Sequence, residues 1–108
     1  MIEMGVQFAE YAFVMKALAD ETRLRILYTL MDGEQCACRI LERFDISQPT
    51  LSHHMKMLEG SGLVRSRRDG LWKRYRLEPS RMGELLKFLS EISESPDKAG
   101  SCEGGCGR

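Results

Sequence analysis

The sequence predicts a mainly α-helical domain with one small β-hairpin: about five helices and a two-stranded wing, arranged as a winged helix-turn-helix. Three observations lead there. Residues 36–58, CACRILERFDISQPTLSHHMKML, read as two short helices joined by a tight turn. That is the spacing of a unit whose second helix enters the major groove of DNA. Residues 63–77, LVRSRRDGLWKRYRL, follow at once and alternate like a basic hairpin. The flanking segments carry helical periodicity and supply the remaining helices.

The first helix is predicted over residues 7–18. Phe8, Tyr11, Ala12, Met15 and Leu18 recur at helical spacing, and Ala9, Phe13, Val14 and Ala17 add a second apolar flank. Asp20 is a good N-cap for a second helix, its carboxylate facing the amides of Thr22 and Arg23. Leu24, Leu27, Leu30 and Met31 are the expected buried stripe, with Arg23 and Arg25 projecting elsewhere, and Asp32-Gly33 stops the helix. A third helix from about Gln35 to Phe44 turns Ala37, Ile40, Leu41 and Phe44 inward, with Cys36 at the edge of that stripe.

After the Asp45-Ile46 turn, Ser47 caps a fourth helix, and Pro49 falls in its first turn, where a missing N–H costs nothing. At 100° per residue, Leu51, Met55 and Leu58 cluster toward the core. Thr50, Ser52, His53 and Lys56 face outward, a set of hydroxyls, an imidazole and an ammonium suited to base edges and phosphates. His54 lies at the core edge and reads as a packed histidine. In the hairpin, Asp69-Gly70 is the expected two-residue turn. A last helix over roughly Arg81 to Ile92 carries Met82, Leu85, Leu86, Phe88, Leu89 and Ile92. One small core cannot absorb both terminal helices, so they are expected to form a homodimer interface.

These elements place a DNA-binding and dimerisation domain at residues 1–92. A flexible tail at 93–108, rich in Gly, Ser and charge, carries Cys102 and Cys106. The chain of 108 residues is 43% hydrophobic and 30% charged, ordinary for one soluble domain. No apolar run reaches the roughly 18–20 residues of a membrane span, and no signal peptide is recognisable, so a cytoplasmic location is expected. There thiols stay reduced, and four cysteines point to metal or redox chemistry rather than disulfides. The zero net charge hides an uneven distribution. Residues 48–76 hold Lys56, Arg65, Arg67, Arg68, Lys73, Arg74 and Arg76 against Glu59 and Asp69 only. A basic segment on a neutral chain is the local footprint of a polyanion. The DNA-facing set is accordingly Gln48, Thr50, Ser52, His53, Lys56, Arg68, Lys73 and Arg74, with double-stranded operator DNA as partner and no membrane.

The run ALADETRLRIL, then EQCACRI, then ISQPTLSHHMKMLEGSGLV, then a basic hairpin, closely resembles the ArsR-type (ArsR/SmtB) metalloregulatory repressors over about residues 12–92. The resemblance implies a homodimeric repressor, not an enzyme, that leaves its operator when a toxic metal or metalloid binds. In arsenic- and antimony-sensing members the site resembles Glu-x-Cys-x-Cys-Asp-Leu-Cys. Glu34, Cys36 and Cys38 match its first part, while Arg39, Ile40 and Leu41 replace the Asp, the Leu and the third Cys. The Asp and His ligands of zinc-sensing relatives are missing from residues 81–92, and the N-terminal cysteines of cadmium and lead sensors from residues 1–11. The resemblance thus points to As(III) or Sb(III) as inducer, with no resident cofactor.

The metalloid ligands are then Cys36 and Cys38, with a third sulfur from Cys102, Cys106 or a small external thiol; the two tail cysteines are alternatively a site of their own. Thiolates select soft ions. Two cysteines at i and i+2 of a regular helix point about 200° apart. Chelation is therefore expected to fray the start of the third helix and so misplace the fourth. The rival readings are a winged-helix repressor sensing thiol oxidation or another soft metal, and a small thiol reductase. The reductase reading lacks a Cys-x-x-Cys at a helix start and any acid–base partner.

Overall fold

The computed structural model describes residues 3–94, with side chains from residue 8 onward. In chain order the elements are α1 (Glu3–Leu18), α2 (Glu21–Leu30), β1 (Gln35–Cys36), α3 (Ala37–Phe44), α4 (Gln48–Gly60), β2 (Val64–Asp69), β3 (Trp72–Leu77) and α5 (Pro79–Ser93). The winged helix-turn-helix is present: α3 and α4 form the pair, and β2–β3 the wing. Among the described residues no helix is long and apolar enough to cross a membrane. Cys102 and Cys106 lie outside the described residues.

The wing is three-stranded where the sequence reading has two strands. β1 adds to it in the order β1-β3-β2, all antiparallel, pairing Gln35 with Tyr75 and Cys36 with Arg74. A two-residue strand is too short to show alternation, so it merges with the helix that follows. The hairpin turn also shifts by one residue. Asp69 pairs with Trp72, leaving Gly70 and Leu71 as the central residues. Gly70 has φ 68°, and the first central position of a two-residue loop is where glycine serves best.

The helix boundaries follow local chemistry. Asp20 caps α2 by accepting the Arg23 amide at 3.0 Å. Ser47 caps α4 by accepting the Thr50 amide at 3.2 Å, with Pro49 in the first turn. α3 ends on Asp45 in the left-handed conformation, φ 53°. Gly62, at φ 84°, reverses the chain from α4 into β2.

The core joins Val14 and Ala17 of α1, Ile26, Leu27 and Leu30 of α2, Ala37 and Ile40 of α3, and Leu51, Met55 and Leu58 of α4. Leu63, Val64, Tyr75 and Leu85 complete it. The α4 stripe is as expected. α1 is rotated: the buried residues come from its second apolar flank, while Phe8, Ala12 and Met15 are exposed and Tyr11 and Leu18 are half-buried. On α2, Leu24 and Met31 are exposed and Ile26 takes their place. Arg23, expected to project outward, is only 8% exposed. Its partners account for this. Nε donates to the Ala17 carbonyl at 2.7 Å and Nη2 to that of Lys16 at 3.5 Å, both in the last turn of α1. Nη1 meets His54 Nδ1 at 3.0 Å, so three elements are tied by one guanidinium.

Candidate nucleic-acid interface and thiol site

α4 presents Gln48, Thr50, Ser52, His53 and Lys56 on its exposed side, as the helical phase predicts. Thr50 is held locally, accepting a hydrogen bond from the Ser47 hydroxyl at 2.9 Å. His54 faces inward and contacts Arg23, with Asp20 3.9 Å away. Burial holds its imidazole below the ordinary value, the neighbouring Arg23 adds to that, and Asp20 opposes it.

The wing stacks three like-charged pairs across β2 and β3: Arg65 opposite Arg76, Arg67 opposite Arg74, and Arg68 opposite Lys73. Like charges directly opposite are unfavourable unless something neutralises them. A glutamate does so for two of the three. Glu78 lies 3.1 Å from Arg65 and 3.8 Å from Arg76. Glu34 takes Arg67 in a two-pronged contact, 2.9 Å to each nitrogen, and Arg74 at 3.4 Å. Among the described residues Arg68 and Lys73 carry no ion pair, and both are exposed near the tip. Arg74, which the sequence reading groups with them, is half-buried and held by Glu34 and by Asp69 at 3.7 Å. No spacing rule reveals this arrangement, because Glu34 is 33 positions from Arg67 and 40 from Arg74.

The thiols sit where β1 becomes α3. Cys36 is not on the helix. It is the N-cap residue, with φ −74° and ψ 143°, and its sulfur accepts the Cys38 amide at 3.3 Å. The neighbouring Cys38 side chain is the main influence lowering the Cys36 thiol from its ordinary value, helped by the amides of Cys38 and Arg39 and by the Arg74 guanidinium, while burial opposes. The Cys36 side chain in turn raises the Cys38 thiol. Both cysteines are free and half-buried. The 200° divergence of two cysteines on a regular helix does not apply here, because Cys36 precedes α3 on extended backbone. Among the described residues no further His, Cys, Asp or Glu joins them in a metal-ligating cluster.

Residues 20–66, which span the thiol site, α4 and the start of the first wing strand, match the family described as bacterial regulatory protein, arsR family. The chain is 42% identical over 90 residues to the arsenical resistance operon repressor of Staphylococcus aureus, covering 83% of this chain and 86% of that protein. The chain belongs to the ArsR family of bacterial regulatory proteins. Its fold matches an ArsR-like transcriptional regulator from Rhodococcus sp. RHA1 with a TM-score of 0.76 at 32% identity, over 86% of this chain and 88% of that one. It also matches the homodimeric winged helix-turn-helix DNA-binding domain of a possible ArsR-family regulator from Mycobacterium bovis, with a TM-score of 0.69 at 28% identity, over 85% of each chain. These relatives are transcriptional regulators, and this ArsR-family chain is one as well rather than a thiol reductase.

Proposed function

We propose that the chain is a homodimeric transcriptional repressor that occupies operator DNA and leaves it when Cys36 and Cys38 capture As(III) or Sb(III). The observation that carries this is the Cys36–Cys38 pair at the start of the helix that supports α4, with the Cys36 sulfur capping that helix through the Cys38 amide. Gln48, Thr50, Ser52, His53 and Lys56 read the major groove, and the wing pair Arg68 and Lys73 holds phosphate. Repression places the protein in the cytoplasm, where thiols are reduced.

Capture is an exchange without redox change. Each As–S bond replaces an As–OH bond of arsenite, and the thiol proton leaves with that hydroxide as water. Two such exchanges use Cys36 and Cys38. A third sulfur completes the pyramid, drawn from Cys102 or Cys106 of the tail or from a small external thiol. The sulfur that bonds the metalloid at Cys36 is the one that caps α3 at the Cys38 amide, so capture acts directly on the start of that helix.

The test is operator binding by fluorescence anisotropy with and without arsenite. The parent is expected to lose affinity about 5–150-fold, the usual range of coupling between two sites. Cys36→Ser/Cys38→Ser is expected to bind operator like the parent and to ignore arsenite. If that variant is released as readily as the parent, the thiol assignment is wrong. Release by diamide but not by arsenite would assign the pair to oxidation sensing instead.

A further inference from the structure

Glu34 joins the thiol site to the wing, and neither it nor Arg67 is among the operator or inducer contacts assigned above. Its carboxylate grips Arg67 through both oxygens at 2.9 Å and reaches Arg74 at 3.4 Å. The next residues form β1, which pairs Gln35 with Tyr75 and Cys36 with Arg74 on the wing's inner strand. Cys36 therefore touches the wing twice over, through its own backbone pairing and through the glutamate two positions before it. Residues directly opposite on a ladder share a face. Cys36, Arg74, Arg67 and Trp72 consequently lie on one face of the sheet, with Asp69–Trp72 the adjacent same-face pair.

We propose that Glu34 is the positioning residue through which the thiol pair controls the wing: its clamp on Arg67 and Arg74 makes β1 and the hairpin move as one piece. Moving Cys36 toward a metalloid then drags β1, and the clamp carries that displacement into β2 and β3. The bidentate geometry matters because a planar guanidinium gripped by two oxygens fixes orientation as well as distance. A single point-charge contact leaves the hairpin free to pivot. This proposal rests on the arsenite reading above and assigns how that signal leaves the thiol site.

Two charge-preserving variants isolate the geometry. Glu34→Asp keeps the carboxylate but withdraws it by one methylene. Arg67→Lys keeps the cation but cannot take the two-pronged contact. Neither changes net charge, so bare attraction to DNA is preserved. The full-length protein is titrated with arsenite, and three quantities are read: the near-ultraviolet absorbance of As–S bonds, the emission of Trp72, and the operator Kd. Trp72 is the single tryptophan and sits on the clamped face of the wing.

In the parent, arsenite is expected to change all three. In both variants the As–S absorbance should develop as in the parent, while the Trp72 response disappears and the fold-change in operator Kd falls below about two. Parent-like Trp72 and Kd responses in both variants overturn the proposal. Loss of As–S formation in the variants also overturns it, since Glu34 would then act on capture rather than on transmission. If arsenite fails to release the parent itself, it is the inducer assignment that falls. Should Glu34→Asp not fold by circular dichroism, Arg67→Lys decides alone.

Discussion

Arg23 and His54 show how much one buried contact organises. The guanidinium fills two carbonyls at the end of α1 and meets His54 Nδ1 at 3.0 Å on the helix that faces DNA. A donor at that distance needs an unprotonated ring nitrogen, because two cations would otherwise face each other. Burial is the main influence holding the imidazole pKa below 6.5; Asp20 opposes it, while Arg23 and His53 act in the same direction as burial. The consequence for stability follows from linkage. The unfolded chain takes up its proton near 6.5 while the folded chain resists, so stability falls as the pH drops below 6.5 and stops falling on this account below the lowered folded value. His54→Asn puts an amide oxygen near the Nδ1 position and does not titrate. Urea midpoints between pH 7 and 5 are expected to decline in the parent and to stay nearly level in His54→Asn. Equal slopes in the two proteins would show that the contact with Arg23 does not govern this range. Asp20, lowered chiefly by the Arg23 amide, acts in a separate window: its contribution is present above 3.8 and is lost as the pH falls through its lower folded value, in both proteins.

At the scale of elements, the wing separates cations paired with glutamates of the fold from a pair with no acid partner among the described residues. Arg65 and Arg76 share Glu78, and Arg67 and Arg74 share Glu34, whereas Arg68 and Lys73 face each other with no acid between them. Each phosphate contact releases about one counterion, which the salt dependence of binding counts. Arg68→Ala and Lys73→Ala are each expected to lower the slope of log K against log salt by about one unit. Arg65→Ala should leave that slope within about half a unit of the parent, since its charge is already spent on Glu78. A full-unit change in Arg65→Ala, with none in Arg68→Ala, would reverse the assignment. The basic hairpin itself is legible from alternation and from the glycine near its tip. The division of labour within it is not, because the two neutralising glutamates lie on other elements. The same distinction holds elsewhere. The Asp20 and Ser47 caps, the α4 stripe and the Cys-x-Cys pair are local patterns and can be read directly. The phase of α1 cannot, since apolar residues surround much of that helix and only contacts with α2 and α4 choose Val14 and Ala17. β1 escapes notice for another reason: a two-residue strand is defined by its partner strand 38 to 40 positions away rather than by its own sequence.

Across the whole molecule, α1 and α5 behave as a platform rather than as core. Within one protomer they are joined by Tyr11 stacked on Phe88 at 4.5 Å, Phe8 tilted against Phe88 at 5.8 Å, and Arg81 paired with Glu10 at 2.8 Å. Only Leu85 of α5 is buried, while Leu86, Leu89 and Ile92 are exposed, Leu86 and Ile92 at 59% each. Phe8, Phe13 and Met15 are exposed on α1. Apolar surface gathered on two terminal helices is the mark of an interface between copies, and a two-fold pair presents two α4 helices at once. Their half-sites then fall about one helical turn apart on DNA, roughly 34–36 Å. Linking two reading heads raises affinity without any new contact, by about 10²–10⁴-fold when the geometry permits both to engage. Leu89→Lys/Ile92→Lys places two ammonium groups on that platform at exposed positions, where they leave the protomer core intact. The variant is expected to keep the parent's helical circular dichroism, to sediment as a monomer at micromolar concentration, and to bind the operator at least about 100-fold more weakly. Its As–S absorbance on adding arsenite should persist, because Cys36 and Cys38 belong to one protomer. A variant that stays dimeric would move the interface away from α5. A monomer with parental operator affinity would mean that one winged helix reads the site alone.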